Sequence, residues 1–91
     1  MQDITLDLSP FHEKISLHSY LKTALCFPFY YGANLDALHD ELTSETNSVH
    51  ITVRYPANPQ GMMEEYLPRV LRVFRDAARE NYHLDIQFEE M

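Results

Sequence analysis

Three short segments of this 91-residue chain alternate apolar and polar residues, and helical patterns fill the stretches between them. Alternation with a period of two is typical of a strand that buries one face. The apolar members of the three segments are Ile4, Leu6 and Leu8; Val49, Ile51, Val53 and Tyr55; and Leu84, Ile86 and Phe88. Helical connections between successive strands favour parallel pairing with right-handed crossovers. The pattern therefore predicts an α/β fold with a small three-stranded parallel sheet packed against helices.

The first predicted helix follows the first strand. Apolar residues recur every three or four positions over residues 17–25, which is typical of an amphipathic helix. Ser16 is the expected N-cap, and Pro28 is expected to end the helix through its restriction on the preceding residue. An aromatic connection over residues 27–33 follows, in which Gly32 is expected to supply a positive φ.

Two further helices complete the order β-α-α-β-α-β. Asn34 is a favourable N-cap for a helix that runs to about Thr43. A longer helix is predicted over about Met62 to Glu80. Pro68 lies inside it, and because proline lacks an amide hydrogen we expect the helix to break or restart there.

The charge balance limits the kinds of partner. Seven Lys and Arg stand against fourteen Asp and Glu, so the formal net charge is −7. Nucleic acids and anionic membranes are both bound through clustered basic residues, and neither is an expected partner. The single cysteine, Cys26, cannot form an internal disulfide, and the first ten residues lack a signal-peptide pattern. We expect one cytoplasmic domain over residues 1–91 that is monomeric when free.

The segment from Tyr30 to Thr43 contains the features that point to function. On a helix it separates into a core-facing arc of Leu35, Leu38 and Leu42 and a solvent-facing arc of Asp36, His39, Asp40 and Thr43. The like-charge pair Asp36 and Asp40 costs the helix about 0.2–0.5 kcal/mol. Residues 23–53 contain no Lys or Arg. Two such carboxylates without a basic neighbour indicate a surface for a cationic partner.

The same segment resembles the inhibitory segment of the barstar family, whose members are intracellular inhibitors of secreted ribonucleases. The resemblance rests on residues 28–40, PFYYGANLDALHD, and on a second block over residues 70–77, VLRVFRDA. The motif YYG-x-NLDAL-x-D is long and mixed in composition, and it is therefore specific. The resemblance implies a three-stranded α/β fold, which agrees with the strand and helix patterns, and a protein that is not an enzyme.

The resemblance also implies a mechanism. In barstar-like inhibitors the helix and its preceding loop plug the ribonuclease active site, where acidic side chains occupy the place of substrate phosphate. Asp40 matches the family's central acid, and Asp36 matches its neighbour one turn earlier. The implied partner-binding residues are Tyr30, Gly32, Asn34, Leu35, Asp36, His39, Asp40, Thr43 and Asp76. The expected partner is a ribonuclease or ribonuclease toxin with a basic active site, which this chain would neutralise as an immunity protein.

Two positions depart from the family pattern. His39 stands where barstar has tryptophan, and Asp76 stands where barstar has a longer glutamate. Both leave open a second hypothesis, a protein-interaction or regulatory module that retains the fold without inhibiting a ribonuclease. Because His39 lies at the proposed interface, its protonation at low pH is expected to alter affinity.

Metal binding and catalysis are disfavoured. Asp36, His39 and Asp40 have spacing that could begin a metal site, but zinc sites use three or four ligands and no further His or Cys has ligand spacing nearby. A solvated carboxylate pair on a convex helix also lacks the cleft that acid–base catalysis uses. No metal, cofactor or catalytic residue is expected.

Several expectations concern exposure. By family position, we expect Tyr30 to be exposed and Tyr31 to be buried. Cys26 is expected to be a small apolar residue at the end of the first helix. The histidines outside the acidic segment are expected to be solvated: His12, His18, His50 and His83.

Overall fold

A computed structural model describes residues 2–91 and contains the six predicted elements in the predicted order. The strands are β1 (Gln2–Asp7), β2 (Val49–Tyr55) and β3 (Leu84–Glu90). The helices are α1 (Lys14–Ala24), α2 (Leu35–Thr43) and α3 (Met62–Glu80). The prediction of an α/β fold in the order β-α-α-β-α-β is confirmed.

The sheet is parallel throughout, with β2 between β1 and β3. The register aligns apolar residues of all three strands in rows, such as the row formed by Ile4, Ile51 and Ile86. These rows lie on the face that the helices cover. The opposite face carries polar residues, and most of them are exposed. Parallel sheets are generally covered on both faces, and the strict alternation of the strands is what leaves one face of this sheet to solvent.

The helices bury their apolar stripes against the covered face of the sheet. The buried apolar residues of the helices are Leu17 and Leu21 in α1, Leu38 and Leu42 in α2, and Met63, Tyr66, Leu67, Val70, Phe74 and Ala77 in α3. They form one cluster with the inward-facing residues of the strands. Over residues 2–91, no helix has both the length and the apolar character that crossing a bilayer requires.

Both ends of α1 differ from the prediction. The N-cap is Glu13, and Ser16 lies within the first turn, where its hydroxyl donates to the Glu13 carbonyl oxygen at 3.0 Å. The prediction of Ser16 as N-cap was therefore wrong. The helix ends at Ala24, and Cys26 then adopts a left-handed conformation with a φ of 57°. The chain leaves the helix before Pro28 can act as its stop, and Cys26 is exposed beyond the helix end.

The prediction that Gly32 supplies a positive φ was also wrong. In the loop before α2 the left-handed residue is Ala33, with a φ of 53°. Gly32 matters for a different reason, because a β-carbon there would lie 3.2 Å from the Ala37 β-carbon. The missing side chain lets the loop lie close against the first turn of α2.

Pro68 neither breaks nor restarts α3, which runs as one helix from Met62 to Glu80. The missing amide hydrogen leaves the Glu64 carbonyl without its usual donor. Both Pro68 and Glu64 are exposed, so water can satisfy this carbonyl. The predicted break was wrong because the proline lies on the solvent side of the helix.

Candidate partner-binding surface

Helix α2 is amphipathic, and its outer face displays the two predicted aspartates. Leu38 and Leu42 are buried, whereas Asp36 and Asp40 are exposed. The Asp40 side chain retains 81% of its surface accessible to solvent. Within residues 2–91, neither aspartate forms an ion pair with a lysine or an arginine. Among the described residues, the helix therefore presents two carboxylates, one turn apart, that neither a lysine nor an arginine neutralises.

Asn34 joins this helix to the loop before it. Its side-chain oxygen accepts a hydrogen bond from the Ala37 amide at 2.7 Å, and its side-chain nitrogen donates to the Gly32 carbonyl at 3.2 Å. The predicted N-cap is confirmed. Because the first amides of a helix lack partners within the helix, this single side chain both starts α2 and orients the loop.

The loop over residues 27–33 has one aromatic ring buried and two exposed. Tyr31 is 9% exposed, whereas Phe29 and Tyr30 are 87% and 71% exposed, so the predictions for Tyr30 and Tyr31 are confirmed. Tyr31 packs on Phe27, with ring centroids 4.8 Å apart. The Lys22 ammonium donates to the Phe29 carbonyl oxygen at 3.3 Å. Phe29 was not among the predicted site residues.

A buried histidine attaches this loop to two helices. His18 of α1 is 1% exposed, and its two ring nitrogens lie 2.7 and 2.6 Å from the hydroxyls of Tyr31 and of Tyr66 in α3. Burial lowers the pKa of His18, and the positive charge of Lys14 lowers it further. A neutral imidazole donates from one nitrogen and accepts at the other, and each tyrosine hydroxyl can take either role.

The two tyrosines of this network stay protonated, because burial raises the pKa of both Tyr31 and Tyr66. The prediction that His18 is solvated was wrong. Its side chain instead connects α1, the loop and α3 through hydrogen bonds that solvent does not reach.

His39 connects the outer face of α2 to the end of α3. One ring nitrogen lies 2.5 Å from the Glu80 carboxylate, and the other lies 3.9 Å from the Asp40 carboxylate. The hydrogen bond to Glu80 raises the pKa of His39, and the negative charges of Glu80 and Asp40 add to this effect while partial burial opposes it. No group of three or more His, Cys, Asp or Glu residues within positions 2–91 is arranged to hold a metal ion.

Asp76 lies beside the same corner of the surface. A shallow groove of about 220 Å³ is lined by His39, Asp76, Arg79 and Glu80. The Asp76 carboxylate is 3.6 Å from the Arg79 guanidinium. The structure thus brings the predicted residue Asp76 next to His39, together with Arg79 and Glu80, which the sequence alone did not select.

Three other predicted site residues shape the segment. Gly32 permits the close approach of the loop to α2, and half-buried Leu35 packs against the core. The Thr43 hydroxyl donates to the His39 carbonyl at 2.9 Å, within its own helix. Gly32 lies in the loop before α2, and Leu35 and Thr43 are the first and last residues of the helix; their contact with a partner stays a prediction.

The acidic outer face of α2 and the exposed aromatic rings of the loop before it form one candidate surface for binding another protein. Residues 1–89 match the family model described as Barstar (barnase inhibitor). Over 81 residues the chain is also 35% identical to the protein of Bacillus subtilis (strain 168) named "Putative ribonuclease inhibitor YrdF", a match that covers 88% of this chain and 89% of that protein. The chain therefore belongs to the Barstar family, and the resemblance found in its sequence is confirmed.

Proposed function

We propose that this chain inhibits a ribonuclease by inserting α2 and the loop before it into the enzyme's active site. The supporting observation is the pair of exposed carboxylates of Asp36 and Asp40, which have no lysine or arginine partner within residues 2–91. A site that binds RNA phosphates must offer cationic groups, and two carboxylates at helical spacing are suited to them. Membership of the Barstar family points to the same class of target.

In this proposal the acidic residues replace substrate phosphate. Asp40 faces the central cations of the enzyme, and Asp36 faces those at the edge. Tyr30 and Asn34 contact the enzyme from the loop, and Gly32, Leu35 and Thr43 give the segment its shape. His39 and Asp76 extend the contact to α3.

The biological role that follows is immunity. The chain would protect cytoplasmic RNA against a ribonuclease toxin made by the same cell or delivered by a neighbour. It would act as a monomer that binds and blocks the enzyme, with no catalytic step, metal or cofactor of its own. Co-purification of the tagged chain with the product of the adjacent gene tests this role directly, and a basic ribonuclease domain is the expected product.

Removing either aspartate is expected to weaken inhibition. Asp40→Ala leaves an enzyme cation buried without its partner, which costs about 3 kcal/mol and raises Kd by roughly 100-fold or more. Asp36→Ala should have a smaller effect because Asp36 lies nearer the edge of the surface. Kd and inhibition are measured against a panel of basic ribonucleases, with barnase first and the toxin candidate from the adjacent gene second.

Glu64→Ala is the matched control. It removes one exposed carboxylate at the start of α3, about 24 Å along the helix axis from Glu80. Unchanged inhibition by Asp40→Ala and Asp36→Ala, with circular dichroism showing intact folds, would show that α2 does not mimic phosphate.

A second candidate is a protein-interaction or regulatory module that keeps the fold. The hydrogen bond between His39 and Glu80 favours this second candidate. His39 lies at the centre of the proposed surface, and the bond already engages its side chain within the protein. Failure of the wild-type chain to bind any ribonuclease of the panel would favour this module over the inhibitor.

A further inference from the structure

Phe29 projects from the loop over residues 27–33 into solvent. Its ring is 87% exposed and lies edge-on to the Tyr30 ring, with centroids 5.5 Å apart and planes at 85°. A large exposed apolar side chain gains little from folding, whereas burial in an interface removes its surface from water. The two rings lie side by side and form a small exposed aromatic patch, and aromatic side chains are enriched at interfaces.

The loop holds this patch in a defined position. The Lys22 ammonium binds the Phe29 carbonyl at 3.3 Å, and the Tyr31 amide donates to the Pro28 carbonyl at 3.0 Å. The Tyr31 hydroxyl in turn lies 2.7 Å from buried His18. The backbone on both sides of Phe29 is therefore fixed to α1 and to the core. A group presented on a rigid backbone loses less conformational entropy on binding than one on a mobile loop.

The aromatic patch is continuous with the acidic face of α2. Asn34 and Gly32 hold the loop against the start of the helix. On α2 itself, His39 is half-buried and hydrogen-bonded to Glu80, so the outer face of the helix offers charge but little apolar surface. Stable interfaces combine charged contacts with a desolvated aromatic centre. Phe29 and Tyr30 supply the apolar surface that α2 lacks.

We propose that Phe29, together with Tyr30, is the apolar anchor of the inhibitory surface, and that it enters an apolar pocket beside the cationic active site of the target ribonuclease. This inference rests on the proposed function and names the chemistry of the partner's second subsite. Opposite charges mainly accelerate association, whereas buried apolar contacts mainly slow dissociation. Phe29 thus selects among ribonucleases that share a basic active site but differ in the apolar surface beside it.

Phe29→Ala and Tyr82→Ala form a matched pair of variants. Tyr82 is 89% exposed and packs beside His83, with ring centroids 4.2 Å apart, and it lies between α3 and β3. The probe is a ribonuclease that the wild-type chain inhibits, with barnase tried first. Phe29→Ala should raise Kd about tenfold or more, mostly because the complex dissociates faster. This increase in Kd should be the same at low and at high salt. Tyr82→Ala should change Kd by less than about twofold.

Oxidative footprinting of the wild-type complex gives a readout that needs no variant. Phe29 should be protected in the complex, whereas Tyr82 should remain as reactive as in the free chain. If Asp40→Ala weakens binding but Phe29→Ala does not, or if Phe29 stays reactive in the complex, the anchor is overturned while the proposed function stands. If the wild-type chain binds no ribonuclease, the proposed function fails and the anchor fails with it.

Discussion

His39 is the residue at which the proposed surface departs most from its family pattern, and Glu80 determines its protonation. The hydrogen bond and the negative charge of Glu80 raise the pKa of His39. A histidine with a raised pKa in the folded protein stabilises the fold below the ordinary value of about 6.5, and that contribution is lost as pH rises through the raised pKa. The charged form of His39 therefore persists to a higher pH than that of an ordinary histidine.

We expect affinity for a basic ribonuclease to fall between about pH 7.5 and about pH 5.5. As pH falls through the raised pKa of His39, the ring gains a proton, and its positive charge then faces the cations of the enzyme. Calorimetric measurement of Kd at both pH values checks this expectation. In His39→Asn the difference in Kd between the two pH values should be smaller. Because the enzyme titrates identically with both proteins, comparing the variant with wild type removes the enzyme's contribution.

Equal pH dependence in wild type and His39→Asn would place His39 outside the interface. Glu80→Gln gives an independent test in the free protein. Titration of the ring by nuclear magnetic resonance should show that the pKa of His39 moves back toward its ordinary value when Glu80 loses its charge.

His18 illustrates how much of a side chain's role the sequence contains. At about 100° per residue, His18 lies about 60° from Leu21 and about 20° from Leu25, on the apolar side of α1. Its burial was therefore predictable from helical periodicity. Its hydrogen-bond partners could not be predicted in this way. Tyr31 and Tyr66 lie 13 and 48 residues further along the chain, and only the packing of α1, the loop and α3 brings them together.

At the scale of the elements, Asn34 fixes the junction between the loop and α2. Asn34→Ala removes the hydrogen bond to the Ala37 amide and should lower the free energy of unfolding by about 1 kcal/mol. Asn34→Asp keeps a side-chain oxygen at the N-cap and should be close to wild type in stability. Urea unfolding of the three proteins, followed by circular dichroism, measures the difference.

Asn34→Asp also separates the helix cap from the hydrogen bond to the loop. The aspartate retains the oxygen that accepts from the Ala37 amide, but it loses the nitrogen that donates to the Gly32 carbonyl. Equal stability of Asn34→Ala and wild type would mean that other contacts determine where α2 begins. A loss of stability in Asn34→Asp as large as that in Asn34→Ala would assign the effect to the bond with Gly32 instead.

The elements themselves could be predicted from periodicity, but several of their ends and turns could not. Strand β2 and helix α3 coincide with their predicted ranges because their apolar spacing persists along the whole element. The start of α1 has no such signal, since Glu13 makes no side-chain capping bond. The left-handed turn falls on Ala33 rather than Gly32, whereas the absence of a β-carbon at Gly32 serves the close approach of the loop to Ala37.

At the scale of the whole molecule, acidic charge is unevenly distributed. Residues 1–45 carry seven acids and two bases, a net charge of −5, and residues 46–91 carry seven acids and five bases, a net charge of −2. Four of the five arginines lie on α3, whereas α2 contains neither lysine nor arginine. The negative field is therefore concentrated on the part of the molecule that bears α2.

The proposed surface as a whole was only partly predictable. Asp36 and Asp40 followed from spacing and charge within one helix. Phe29, Arg79 and Glu80 join them only through the packing of α3 against α2 and the fold of the loop, which no local pattern reports. Sequence reasoning therefore selected the aspartates of α2 and, through the family resemblance, Tyr30 and Asp76, and it missed Phe29, Arg79 and Glu80.

The uneven charge predicts how association depends on salt. Opposite charges steer diffusional encounter, and ions screen that attraction over about 10 Å at roughly 0.1 M salt. The association rate constant with a basic ribonuclease should fall about tenfold or more between low and high salt, with little change in the dissociation rate constant. Stopped-flow fluorescence over a series of salt concentrations measures both constants.

Two double variants distinguish the local field of α2 from the net charge of the molecule. Asp36→Asn with Asp40→Asn, and Glu64→Gln with Glu65→Gln, each remove two negative charges, the first pair on α2 and the second in the first turn of α3. Because screening confines each charge to its surroundings, the first variant should flatten the salt dependence of association and the second should leave most of it. If both variants flatten it equally, the net charge of the molecule rather than the acidic face of α2 steers the encounter.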